Sequence, residues 1–115
     1  MTSRRRFDAH LRHLTSAGFD AARQGVLLSG RAEHRNITVL VLRDAIEGSF
    51  PKIASTSQCA TFVERNLIAF RDIAQAKLFA DDFVELPALP GWPHADLLVE
   101  VTIPDLLRSR RWLTP

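Results

Sequence analysis

The sequence predicts one α+β domain spanning residues 1–115, because apolar runs of period two and of helical period follow one another along the chain. Two runs of period two, at residues 26–32 and 36–42, predict strands joined as a hairpin. A long stretch of helical period follows at residues 56–80, and a third strand is expected at residues 97–103. We therefore expect a small antiparallel sheet of three strands, packed by one long helix, with short helices near both termini.

Length and composition restrict the class of protein. The chain has 115 residues, of which 46% are hydrophobic and 24% charged, as in folded domains rather than disordered chains. Cys59 is the single cysteine, so no disulfide within the chain is expected. The strictly apolar runs are too short to cross a membrane. No apolar stretch follows the arginines near the N-terminus, so a cytoplasmic location is predicted.

Two capping patterns predict where helices begin. Asp44 precedes Glu47 by three residues, which predicts a short capped helix over residues 44–50 that ends before Pro51. Ser55 and Gln58 repeat this spacing at the start of the long helix.

Two further short helices are expected near the ends of the chain. Phe7, Leu11 and Leu14 share one helical face, which predicts an amphipathic helix over residues 7–16. Pro104, shortly after the third strand, is typical of the first turn of a last helix.

The long helix has a clear apolar face with two exceptions. Its apolar positions recur every three or four residues, at Cys59, Val63, Leu67, Phe70, Ala74 and Leu78. Ile68 and Phe79 instead project onto the polar side, so that another element covers them or they are exposed. The N-terminal helix is one candidate cover. The other interpretation is a homodimer, in which Ile68, Phe79, Trp92 and Trp112 contribute to an apolar interface.

The charges are distributed unevenly, which suggests two uses. Residues 78–107 hold six acidic residues and no Lys or Arg, whereas both ends are basic, so a twofold axis would bring complementary patches together. Alternatively, the basic ends contact phosphates of a nucleic acid. The candidate anion contacts are Arg4, Arg5, Arg6, Arg108, Arg110 and Arg111.

No set of residues predicts catalysis, a cofactor or a metal. His10 and His13 share one face of the predicted first helix, but surface histidines explain them better than a metal, because nothing indicates a third ligand. Cys59 falls on the apolar face of the long helix and is expected to be a buried structural thiol. Asn66, at the edge of that face, is expected to satisfy a neighbouring backbone group.

Several apolar motifs resemble a known family. Val26 and Gly30 precede Ile37 and Val41, and a short capped helix follows. The further motifs are Phe62-x-x-x-Asn66 and Ile73-Ala74-x-x-Lys77. Over residues 19–80 this order resembles a family of small bacterial proteins known as a domain of unknown function. The resemblance implies a compact α+β fold and a bacterial cytoplasmic protein, and it implies no activity.

These observations favour a non-enzymatic protein-binding or regulatory module without a cofactor, most simply a homodimer that does not associate with membranes. The alternative is a nucleic-acid-associated protein that uses its arginine-rich ends. An enzyme is the third class, and a ligand bound near Cys59, His10 and His13 would favour it.

Overall fold

Strands paired in one mixed sheet organise the fold, which a computed structural model describes for residues 10–86 and 96–115. Within these residues the sheet has five strands and is accompanied by four helices. The elements in chain order are β1 (Arg12–Asp20), β2 (Gly25–Ala32), β3 (Arg35–Leu42), α1 (Arg43–Ser49), α2 (Thr56–Arg65), α3 (Leu67–Phe79), β4 (Val84–Glu85), β5 (Leu97–Val101) and α4 (Ile103–Arg108), followed by a 3₁₀ turn (Arg110–Trp112). The strand order is β1-β2-β3-β5-β4.

The β2–β3 hairpin confirms the predicted pair of strands. The two strands are antiparallel, with Ala32 opposite Arg35 at the closed end. Glu33 and His34 form the connection with φ of +52° and +68°. Two successive residues with positive φ are typical of the tight turn whose twist matches that of a hairpin.

The prediction of a helix over residues 7–16 is wrong for the part of that range that the structure describes. Residues 12–20 form β1, which pairs antiparallel with β2 from Arg12 opposite Arg31 to Asp20 opposite Gly25. A ten-residue helix with three apolar contacts is marginal by itself, so pairing with a sheet edge prevails over the helical spacing. Leu11 is nevertheless buried, just before the strand begins. Residues 1–9 lie outside the described part of the chain.

The prediction of a purely antiparallel three-stranded sheet is also wrong. β5 pairs parallel with β3, from Ile37 opposite Leu97 to Val41 opposite Val101, and β4 pairs antiparallel with β5. A parallel pair needs a long crossover connection, and the segment that contains α1, α2 and α3 supplies it. β5 ends two residues earlier than expected, because α4 begins at Ile103 with Pro104 in its first turn, as predicted.

The single helix expected over residues 56–80 is two helices. The capping box is confirmed at its start: the Ser55 hydroxyl accepts from the Gln58 N–H at 3.1 Å, and the Gln58 side chain accepts from the Ser55 N–H at 3.1 Å. The helix breaks at Asn66, whose φ of −111° and ψ of 30° depart from helical values. An Asn side chain competes for backbone groups, which explains a break that apolar periodicity alone does not indicate.

The capping box predicted at Asp44 is not formed. Leu42 is the residue before α1, and no side chain caps that helix. β3 runs directly into α1, so the chain enters the helix without a polar turn, and Asp44 lies within the first turn.

The core lies between one face of the sheet and the helices. Alternate residues of β2, β3 and β5 are buried against apolar residues of α1, α2 and α3. Cys59 is fully buried among them, as predicted, and burial raises the pKa of its thiol. No helix in the described ranges is both long and apolar enough to cross a membrane.

Candidate protein-interaction surface

One side of α3 faces the solvent with apolar side chains. Ile68 is 70% exposed and Phe79 is 41% exposed. Eleven residues are about three helical turns, so both side chains lie on the same side of the helix. The opposite side contributes Phe70, Ala74 and Leu78 to the core. α3 therefore buries one apolar side in the core, and on the opposite side Ile68 and Phe79 stand among the polar residues Arg71, Asp72 and Gln75.

A groove runs beside Ile68 and has a volume of about 740 Å³. Ile68, Ile73 and Ala76 of α3 line one wall, and Ser109 and Trp112 contribute to the other. Trp112 is 70% exposed. We call this feature the α3 groove. It brings together two of the four predicted interface residues, Ile68 and Trp112; Trp92 lies outside the described residues.

The α3 groove has charged walls of mixed sign. Glu64 and Asp72 line it from the helical side together with Arg65. On the other side, the guanidinium of Arg111 lies 6.0 Å from the centre of the Trp112 ring, within the range of a cation–π contact. That of Arg110 lies 5.6 Å from the ring centre of Phe50. Two predicted anion contacts thus lie against aromatic rings, of which Trp112 lines the groove.

The chain after α4, residues 110–115, is held against the helix break, and we call it the strap. The Asn66 side chain, in a residue only 7% exposed, donates from Nδ2 to the Thr114 carbonyl at 2.8 Å and accepts from the Thr114 N–H at 2.7 Å. Nδ2 also donates to the Phe62 carbonyl at 2.8 Å. The prediction that Asn66 satisfies a backbone group is confirmed. The distant partner was missed, because no sequence signal links residues 48 positions apart.

A buried carboxylate fixes α4, which precedes the strap, against α3. Asp105 accepts from Lys77 Nζ at 2.6 Å and from Arg108 Nη2 at 2.6 Å. It also accepts from the Thr102 N–H at 2.9 Å. Burial raises the pKa of Asp105, but the hydrogen bond from Lys77 and those from Thr102 outweigh it, so the pKa lies below its ordinary value.

The N-terminal segment lies on the other side of Ile68 and covers it incompletely. His10 Nδ1 is 3.0 Å from Gln75 Oε1, and the Leu11 N–H donates to the same oxygen at 3.1 Å. The His10 ring also packs edge-on against Phe79, with ring centres 6.3 Å apart. Ile68 still lines an open cavity of about 710 Å³ on this side. The expectation that this segment covers Ile68 as a helix is therefore wrong for the residues described.

The remaining candidate residues do not assemble into a chemical site. The described part of the chain holds no group of three or more His, Cys, Asp or Glu side chains arranged for a metal ion. His13 lies in the irregular part of β1, with a φ of +58°. Arg4, Arg5 and Arg6 lie outside the described residues. Among residues that are described, Arg108 is bonded to Asp105.

Comparisons of the chain with protein-family models, curated proteins and solved structures find no match. The resemblance to the small bacterial family stays a prediction.

Proposed function

We propose that the chain is a non-enzymatic protein-binding module of the bacterial cytoplasm, which forms a twofold dimer through the α3 groove. The observation that carries the proposal is that Ile68 and Trp112, each 70% exposed, line the same groove. Burial of one large apolar side chain in an interface contributes about 1.5–3 kcal/mol, and the chain lacks this stabilisation while the side chain is exposed to solvent. Large apolar side chains gathered at one groove are typical of protein interfaces.

The charges around the groove support a second copy as the partner. Glu64 and Asp72 outweigh Arg65 on the helical wall, whereas Arg110 and Arg111 directly precede Trp112 of the other wall in the sequence. A twofold interface places the same surface patch on both subunits, and in the proposed orientation the acidic helical residues of one copy face the basic strap residues of the other. This complementarity favours association and sets its orientation.

A matched pair of variants tests the proposal by sedimentation velocity. Ile68→Asp places a charge in the lining of the groove and is expected to convert the dimer to monomer. Val84→Asp changes an apolar residue that is 53% exposed but lies on β4, outside the groove, and is expected to leave the dimer intact. An equal effect of both variants, or none for Ile68→Asp, would place the interface elsewhere.

The nucleic-acid alternative rests on the exposed arginines near the C-terminus. Arg108, Arg110 and Arg111 are consecutive or nearly so, and all three are exposed. Their contacts with Asp105, Phe50 and Trp112 support a structural role instead. Retention on a DNA column that falls steeply with salt, and that Arg110→Ala weakens, would favour the alternative.

A further inference from the structure

The Asn66 side chain recognises one strap residue through its backbone alone. Its amide pairs with the N–H and the carbonyl of Thr114, at 2.7 Å and 2.8 Å. Both partner atoms are main-chain atoms, so Asn66 can form the same contact with an extended segment whatever side chain stands at that position. The bond from Nδ2 to the Phe62 carbonyl does not involve the strap, and it helps to fix the orientation of the amide.

A single apolar side chain anchors the strap next to this contact. Leu113 is 6% exposed and belongs to the core cluster, whereas Trp112 before it is 70% exposed. Leu113 has extended backbone angles, with φ of −108° and ψ of 132°. Main-chain hydrogen bonds together with a pocket for one side chain are the means by which proteins bind extended peptides.

The binding surface extends beyond its present occupant. The α3 groove adjoins the strap at Trp112 and also includes Ser109, just before the strap. A second cavity of about 280 Å³ adjoins it at Pro115 and is lined by Ile53, Phe62 and Arg65. Open space therefore borders the strap at both ends.

We infer that the junction of α2 and α3 at Asn66 is a peptide-binding site, which holds the strap of its own chain and accepts the strap of a second copy in its place. This inference rests on the proposed dimer and adds exchange of the strap to its interface at the α3 groove. Exchange of identical segments preserves the contacts of the strap, so the strap of a second copy fits the site as well as the chain's own strap does. Ser109 is the hinge, because it ends α4 and precedes the 3₁₀ turn.

A peptide with the sequence of residues 109–115 tests the site directly. Its binding is measured by fluorescence anisotropy on the full chain carrying Leu113→Asp, whose own strap no longer seats. We expect saturable binding, at least tenfold weaker for the peptide that carries the same Leu→Asp change. Addition of Asn66→Ala to the chain is expected to weaken binding at least tenfold. Equal binding of both peptides, or no binding, overturns the inference.

Circular dichroism first establishes that Leu113→Asp retains the native spectrum. If it does not, Thr114→Pro replaces it, because Thr114 is exposed and proline lacks the N–H that donates to Asn66 Oδ1, so the strap loses one of its two hydrogen bonds to Asn66 and is expected to be displaced by the peptide. The expected results with the two peptides are unchanged.

Mixing two defective chains tests exchange between copies. A chain with Asn66→Ala has an intact strap and a defective site, and a chain with Leu113→Asp has the reverse defects. We expect each to be more monomeric than the natural chain and their mixture to form heterodimers, which have one intact junction. Suppose that the natural chain dimerises and that Ile68→Asp disrupts its dimer, but that the mixture forms no heterodimer. This result overturns strap exchange and leaves the proposed dimer standing. A natural chain that is monomeric throughout overturns both.

Discussion

α2 and α3 follow one another with only Asn66 between them, yet they use their apolar residues differently. In α2 the large apolar residues Phe62 and Val63 are both buried, together with Cys59. In α3 Phe70 is buried, whereas Ile68 is 70% exposed. α2 contributes its large apolar residues to the core, whereas α3 contributes to the core and also exposes Ile68 and Phe79. The proposed interface at α3 depends on this difference.

The largest expected effect separates the two sides of α3. Phe70→Ala removes a fully buried ring whose centre lies 5.9 Å from that of Phe62, and it should lower the free energy of unfolding by about 3–5 kcal/mol. Ile68→Ala, on the exposed side, should change it by less than about 0.5 kcal/mol in the monomer. Urea unfolding of both variants measures the difference. Similar losses would contradict the two-sided assignment.

The next effect concerns the break between the helices. Asn66→Ala removes the three side-chain hydrogen bonds to Phe62 and Thr114, and it should lower the free energy of unfolding by about 1–3 kcal/mol. Faster amide hydrogen exchange at Thr114 should accompany the loss. Thr56→Ala, at an exposed position of α2, is the control and should change stability by less than about 0.5 kcal/mol. If exchange at Thr114 is unchanged, Asn66 does not hold the strap.

The sequence predicted the parts of the fold that depend on local signals. The β2–β3 hairpin and the capping box at Ser55 were predicted correctly, because their alternation and their side-chain oxygens act within a few residues. The break at Asn66 was not, because the apolar face continues through it from Val63 to Phe70. The parallel pairing of β3 with β5 also depends on contacts far apart in the sequence, which periodicity does not specify.

The candidate surface was predicted only in part, because some of its features are local in the sequence and others depend on distant contacts. The positions of Ile68 and Phe79 on the helix follow from its geometry, so their common side could be deduced. The proximity of Trp112 to Ile68 depends on how Asn66 holds Thr114, a contact between distant residues. The N-terminal segment was assigned wrongly because Leu11 and Leu14 fit a helical spacing. Its strand conformation depends instead on pairing with β2, which the spacing does not show.

A smaller effect tests the ionic contact that places α4 beside α3. Asp105→Asn should lower the free energy of unfolding at pH 7 by about 1–2 kcal/mol, because the charged bonds from Lys77 and Arg108 are weakened. The pKa of Asp105 in the folded chain lies below its ordinary value of 3.8. The stabilisation by the carboxylate is therefore fully present above about pH 4 and is lost as the pH falls through the lower, folded value.

Urea unfolding of the natural chain and of Asp105→Asn at pH 7 and pH 3 measures this dependence. The difference between them should be smaller at pH 3. A difference that grows on acidification would contradict the direction of the pKa shift. Glu85→Gln is the control, because that carboxylate is 74% exposed and lies on β4 outside the α3 groove, so its variant should show little difference at either pH.

Ile68→Asp is expected to change the folding free energy of the monomer least, although it should halve the mass of the assembly in solution. Ile68→Asp should leave the monomer about as stable as the natural chain, because the side chain it replaces is 70% exposed. Circular dichroism and urea unfolding at a concentration that favours monomer check this. A large loss of stability would mean that Ile68 serves the fold rather than an interface.

The mass of the natural chain in solution tests the central claim most directly. Multi-angle light scattering, after size-exclusion chromatography over a range of micromolar concentrations, should give twice the chain mass of 12.9 kDa, falling toward one chain mass on dilution. A mass near 12.9 kDa at every concentration would contradict the assignment of the α3 groove as a surface for a second copy.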